Sequence, residues 1–470
     1  NDIDMTLMVT SYETDDSGNR DTSVPGAAAS RNIHVEVLAV TDDVDLKING
    51  SDDPYSATID EDTTLNLSSL LSANFDDLDG SEKRSIVIYN PEGNDPIAVN
   101  GTTVNGGSSI TIDAPGLSTS TSGFPAISIG GAANISGDLK GITVTLRAQD
   151  TDSDSPGHTP AVKTDSVTLD LYVNPVAGDV TAPPVSTEED TAVKFMEDLA
   201  LTDTDGSEVM DSITIKAVPT GWVIKDSGGA VVHTGDGSSD YSVPAAHVSE
   251  GSYKDYTITP PAHSSADETL TVSVQTTDTK VVGGTTVTST ETVDLGVKVT
   301  VTPVAEVVGG DSDGDGTPDL TMTSGHIYGE QVEAYEDEWF NLNQDGFNLK
   351  DGWHNQDGID VVGGTEKTFA LLTPVLDGGS ANGSKFTYND GATTHTLIYN
   401  GTAVEIPMEH LDTVQFMAPE NVSGHFEIQV QAKTIDTDPD DPGATDTAIS
   451  GSATLANLVV LPVADQVTLA

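Results

Sequence analysis

The residues best suited to chemistry in this chain are carboxylates, and they recur at short, regular spacings. The sharpest run is DSDGDGTPD at 311–319, a D-x-D-x-D-G-x-x-D loop. Hard divalent cations such as calcium take roughly six to eight oxygen ligands, and acids one residue apart on a tight turn supply them. Asp311, Asp313 and Asp315 would turn side-chain oxygens inward, Gly316 permits the turn, Thr317 offers its carbonyl and Asp319 closes the ring. The run matches the opening of an EF-hand loop. It has Met322 where the bidentate acid belongs and no flanking helical pattern, so it reads as a calcium loop outside an EF-hand. The competing reading is a solvated acidic linker.

A second set of acids repeats along the chain. An E-D pair opens successive units as Glu61 and Asp62, Glu189 and Asp190, and Glu336 and Asp337. A D-x-D-G-S-E motif follows it, with Asp77 and Asp79, then Asp203 and Asp205, and a weaker counterpart at Asp357. Acids at the end of a long alternating strand complete the pattern: Asp150 and Asp152, Asp278, and Asp436 and Asp438. Linker acids Asp43, Asp179 and Glu306 stand close to the unit boundaries. Turns gather at the two poles of a β-sandwich, so these acids could converge on calcium there. Bare carboxylates about 4 Å apart repel by roughly 4 kcal/mol per pair at an effective dielectric near 20, a cost that a cation removes. The alternative is that aspartates sit on turns for solubility and for their local hydrogen bonds.

The elements that must position these acids are strands. Segments such as SVTLDLYV from 166, VDLGVKVTV from 293 and NIHVEVLAV from 32 alternate with period two and are rich in β-branched residues. The 45 Gly and 23 Pro punctuate them, and helical periodicity is nearly absent, with short helical turns expected only near 67–71 and 197–201. The spacing from strand-end acid to linker valine is 25 residues (15 to 40), 23 (150 to 173), 23 (278 to 301) and 24 (436 to 460). Tandem repeats follow from this regularity. The expected domains are 1–44, the C-terminal part of a truncated repeat; 45–176; 177–304; and 305–464, longer and carrying the inserted loop. Residues 465–470 begin the next linker. The fold expected is all-β, with Ig-like or cadherin-like β-sandwiches in an extended, calcium-stiffened array and cores built mainly from Val, Ile and Leu.

With 18 Lys+Arg against 76 Asp+Glu, the formal net charge of −58 excludes nucleic acid as an electrostatic partner and disfavours an anionic membrane surface. No apolar run approaches the ~20 residues of a spanning helix, so no membrane insertion is expected. Cysteine is absent, which removes disulfides and zinc-thiolate sites. The chain reads as an interior piece of something longer. No H-E-x-x-H, G-x-S-x-G, P-loop or G-x-G-x-x-G is present, and the ten His are scattered, so a non-enzymatic protein is expected. Trp339 and Trp353 both fall in the last repeat, beside His354. Trp339 is expected in the core. The pair also leaves open a carbohydrate- or peptide-binding role for 305–464.

Taken with the TPVA linker, seen in VTVTPVAEV from 299, and with TITPPAHSSADETLTVSVQTTD from 257 and MAPENVSGHFEIQVQAKTID from 417, these landmarks carry a resemblance. The chain resembles the Ig-like or cadherin-like extender repeats of giant type I-secreted RTX adhesins of Gram-negative bacteria, the LapA-like biofilm and ice-binding type. The G-G-x-G-x-D nonapeptide of the RTX β-roll is missing. The resemblance implies an extracellular, monomeric rod whose partners are the neighbouring repeats of the same long chain. It further implies calcium at the junctions and a chain that stays exportable in the calcium-poor cytoplasm.

Overall fold

In a computed structural model, the structure describes residues 2–76, 78, 80–151, 158–305, 320–322, 332–342, 353–355 and 366–464. The expected loop at 311–319 lies outside them, as do Asp77, Asp79, Asp152, Glu306 and Asp357. The chain is all-β, a series of tandem β-sandwiches. Its contacts separate two compact units, 1–179 with 201–209 and 276–291, and 180–200 with 210–275 and 292–470.

The first unit begins with an antiparallel hairpin, Ile3–Ser11 on Ala27–Val35. Its odd residues, Ile3, Met5, Leu7, Val9, Ile33 and Val35, lie on one apolar face that is exposed. A complete sandwich follows. One sheet runs in the order Ser108–Asp113, Glu82–Asn90, Gly137–Asp150, Lys163–Asn174, Tyr55–Asp60, with the last pair parallel. The facing sheet runs Leu65–Asn66, Ser128–Gly131, Ile97–Val99, Thr102–Val104. Strict alternation sends Ile86, Ile88, Val144, Leu146, Leu169 and Leu171 into the core against Ile97, Val99 and Ile129. A bulge between Leu139 and Ile142 breaks the register, and Gly141 takes the left-handed φ of +70° that this requires.

Under that sandwich Arg84 and Glu82, each with a side chain only 1% exposed, pair at 3.1 Å, and the guanidinium lies 3.9 Å over the Phe75 ring. Removing one partner of such a pair strands a buried charge. Arg84→Met is therefore expected to cost about 3–5 kcal/mol in denaturant unfolding, and adding Glu82→Gln should recover most of it. An Arg84→Met cost below about 1 kcal/mol would show that the pair is hydrated and not buried.

In the second unit, Val185–Glu188 pairs in parallel with residues 299–302 of the strand Thr285–Thr302. A four-stranded sheet runs Val193–Lys194, Thr257–Thr259, Val223–Lys225, Val231–Thr234. The last sandwich packs a sheet ordered Val332–Tyr335, Ala453–Leu461, Gly424–Thr437, Lys367–Leu376, Val404–Pro407 on a second sheet. That second sheet is ordered Phe340–Asn341, Gln415–Met417, Lys385–Asn389, Thr394–Ile398.

The last core is mainly Val, Ile and Leu, with Phe340, Phe386, Phe416 and Phe426 packed among them and the Phe386 and Phe416 centroids 5.2 Å apart. Two sequence expectations need correction. Trp339 is 41% exposed, because it occupies the outward position of the alternation and Phe340 the inward one. Residues 197–201 form a turn and a short strand; among the described residues the α-helix is Ala245–Glu250, started by Pro244 and closed by left-handed Gly251. Among the described residues, no helix is long and apolar enough to cross a membrane. Trp353 and His354 lie on the strand Trp353–Asn355, which pairs with Leu320–Met322.

Candidate metal centre

Each E-D pair follows a strand that pairs in parallel with the end of its repeat, and all three pairs are built alike. The Glu amide donates to the carbonyl of Asn174 (2.9 Å), Thr302 (3.1 Å) or Leu461 (3.0 Å). One carboxylate oxygen of Glu61, Glu189 and Glu336 then accepts the linker amide of Val176 (3.2 Å), Val304 (2.6 Å) and Val463 (2.7 Å). The following aspartates, Asp62, Asp190 and Asp337, have φ of +57°, +57° and +63°. This left-handed backbone, which Asp tolerates better than most residues, aims their Oδ1 at the amides of Asn134 (3.1 Å), His263 (2.9 Å) and Asn421 (3.1 Å). Half of each Glu carboxylate and one oxygen of each Asp thus hold backbone. At Glu61 the second oxygen, Oε1, is buried and makes no hydrogen bond.

At the joint around residues 174–180, that second oxygen meets other acids, all within the first unit. Ligand oxygens of Glu61, Asp203 and Asp278 lie within 4.8 Å of one another. Glu61 Oε1, Asp203 Oδ2, both oxygens of Asp278 and Oε2 of the adjoining Glu208 are buried without a hydrogen-bond partner. Asp278 is fully buried. Beside them opens a pocket of about 290 Å³, whose wall includes Asp62, Asp179 and Thr202. Buried, donor-less carboxylates at this separation are costly as bare anions. The electrostatics agree. Burial, then the charges of Asp203 and Asp278, pushes the Glu61 carboxyl up to about 7 against the pull of the Val176 amide. Burial raises Asp203 and Glu208 as well, again with neighbouring carboxylates adding to the shift.

Asp205 behaves oppositely. Although burial opposes ionisation, hydrogen bonds from Ser207, Lys280 and Ser136 hold it down to about 2. Lys280 Nζ stands 3.1 Å from its Oδ2 and Ser136 Oγ 3.0 Å. Asp205 is a satisfied support beside the cluster, and its charge is already matched.

The remaining expected ligands are distributed as follows. Asp150, the counterpart of Asp278, donates its amide to Thr41 Oγ1 (2.9 Å) and accepts from Thr151 (2.7 Å). Asp436 accepts the Thr437 amide (2.7 Å), and Asp438 shapes its own turn by accepting from Asp440 (2.7 Å) and Asp441 (3.1 Å). Asp43 is exposed and pairs with Lys163 at 2.6 Å. The structure thus brings together Glu61, Asp203 and Asp278, with Asp62 and Asp179 on the pocket wall. Glu208 was not among the expected ligands. Its signal in the sequence is the final Glu of D-x-D-G-S-E, a position it shares with Glu82.

No protein-family model and no curated protein matches the chain. Solved structures similar to it include mouse protocadherin-24 EC1-3, at 10% identity over 78% of this chain and 90% of that one, TM-score 0.17. Another is the N-terminal eight Ig domains of Down Syndrome Cell Adhesion Molecule isoform 1.30.30, at 9% identity over 92% of this chain and 44% of that one, TM-score 0.16. The I9-I11 tandem from titin matches at 10% identity over 89% of this chain and all of that one, TM-score 0.13. At such scores these are likenesses between tandem β-sandwich chains and nothing more.

Proposed function

We propose that this chain is an extender segment of a bacterial cell-surface adhesin, a non-catalytic, monomeric rod of tandem sandwiches with calcium at its joints. The observation that carries the reading is the Glu61–Asp203–Asp278 cluster, whose donor-less oxygens come from two successive repeats. The donor set fits calcium: all ligands are hard carboxylate oxygens, with no sulfur or imidazole among them. Glu61, Asp203, Asp278 and Glu208 would hold the ion, and the ion would supply positive charge where four acids otherwise repel. Millimolar extracellular calcium keeps even weak sites of this kind filled. Such a segment would hold terminal binding domains away from the cell in adhesion and biofilm formation. It would reach the surface by type I secretion.

Small-angle scattering of the full chain in millimolar calcium tests the proposal. The expected profile is that of sandwiches arranged end to end, with a maximum dimension several times the width. A compact profile, with sandwiches folded onto one another, would overturn the extender reading.

A further inference from the structure

We infer that the joint around residues 174–180 carries a second tie that needs no cation: the tip of the hairpin 268–302 docks on the start of the strand Gly137–Asp150. This goes beyond the calcium reading and does not rest on it. The tip is a two-residue turn, Gly283 and Gly284, with φ of +59° and +80°. A left-handed pair of this kind makes a type I′ turn, whose twist matches that of the flanking strands. The turn leaves the Gly283 amide pointing outward, and it donates to Asp138 Oδ1 at 2.7 Å. A Cβ on Gly283 would lie 3.7 Å from the Tyr172 ring, so the backbone comes down against that ring.

Three further contacts flank it. The Lys280 stem passes Gly137, where a Cβ would sit 3.5 Å from Lys280 Cε. The Lys280 ammonium and the Ser136 hydroxyl both reach Asp205. On the other side of the joint Asn134 Nδ2 donates to the Thr202 carbonyl at 2.9 Å. Burial works against ionisation of Asp138, yet the Gly283 amide and Lys140 hold its carboxyl below the usual range.

The joint near residues 302–305 repeats the plan with different residues. There the turn after the strand Gly424–Thr437 presents Asp440, whose Oδ2 accepts the Asp267 amide at 2.7 Å. Asp267 stands just before the strand Glu268–Val282, much as Asp138 stands at the start of its own strand. Asp446 accepts the Ala305 amide at 3.0 Å from the same side. In both joints a turn of the later repeat reaches back to the first residues of the long strand in the earlier one. The acids of the metal centre play no part in the Gly283–Asp138 contact. The tie holds the hairpin tip on the strand, and the cation removes repulsion beside it.

Because the chain has no cysteine, two spin labels can be placed cleanly, at Ser109 and Thr290, both outside these contacts. Distance distributions are then measured by electron–electron dipolar spectroscopy in excess chelator and in calcium, below the melting temperature. Wild type is expected to give one narrow distribution in both. Asp138→Ala with Lys280→Ala should widen it about twofold in chelator, since domains joined without a substantial interface move freely. Calcium should narrow it again. Asp138→Asn, which keeps an acceptor oxygen, should stay narrow, and circular dichroism checks that every variant is folded. A wild-type distribution in chelator as wide as the double variant's overturns the tie, and so does a narrow one from the folded double variant. If the double variant stays wide in calcium, the cation reading fails while the tie stands.

Discussion

Asp278→Asn is expected to raise the melting temperature in chelator and to lower it in calcium. Asp278 is fully buried and both its oxygens lack a donor, while Glu61 and Asp203 face it within 4.8 Å. In chelator its charge only repels. At an effective dielectric near 20 each close pair costs on the order of 4 kcal/mol, part of which is avoided by proton uptake. Asparagine deletes the charge at nearly constant volume and brings an amide that can donate to a neighbouring carboxylate, so a gain of roughly 1–3 kcal/mol is expected. In calcium the balance reverses. An ion at 100 times its dissociation constant is worth about 2.7 kcal/mol to the folded state, and losing a charged ligand forfeits most of that. Paired thermal melts of wild type and Asp278→Asn, with calcium and with chelator, read both signs at once. Destabilisation under both conditions would mean that Asp278 is a structural acceptor and the cluster no cation site.

How far the centre could be read from sequence turns on what each acid's partners are. Glu61, Asp203 and Asp278 were legible because they recur at fixed steps, and recurrence on turns is what a sandwich converts into convergence at one pole. Their neighbours were not. Asp205 shares the D-x-D spacing with Asp203, yet Lys280, 75 residues away, neutralises one and leaves the other bare. Nothing local distinguishes the two. Asp43 is likewise claimed by Lys163 from a strand 120 residues on. Asp62, Asp190 and Asp337 follow the glutamates directly, and only their left-handed backbone turns them to the amides of Asn134, His263 and Asn421. A chain tracing of charges cannot contain that information.

The fold shows the same division. Period-two alternation located the long strands such as Gly137–Asp150 and Lys163–Asn174, because both faces of a sheet impose it over many residues. It failed at single positions where parity decides. Trp339 looks like core by its size, but the buried position is one residue later, at Phe340. The helix Ala245–Glu250 is too short for a periodic signal, and only its Pro and Gly boundaries mark it. Sheet order was beyond reach, since the parallel pairing of Tyr55–Asp60 with Lys163–Asn174 joins residues more than a hundred apart.

The pH dependence of the cation-free chain separates the buried acids from the many exposed ones. Exposed carboxylates finish ionising below about pH 5.5, so they contribute little change above it. Glu61, lifted by burial and then by its acidic neighbours to about 7, still binds its proton there, and Asp203 and Glu208 are shifted in the same direction. A carboxyl whose folded value lies above its unfolded one stabilises the fold while protonated, below the unfolded value of about 4.5, and that stability is lost as the pH rises through 7. In chelator the melting temperature should therefore fall between pH 5.5 and 7.5. Asp205, held down to about 2, acts oppositely: its contribution is complete above its ordinary value and disappears only in strong acid, so the cation-free optimum lies near pH 4–5. Calcium must displace the same proton from Glu61, so its affinity rises across this window and the gap between calcium and chelator melts widens with pH. Glu61→Gln should flatten the chelator profile between pH 5.5 and 7.5, because it removes the group that titrates there. A chelated wild-type chain as stable at pH 7.5 as at 5.5 would mean that the cluster is solvated, and the case for a cation at this joint would go with it.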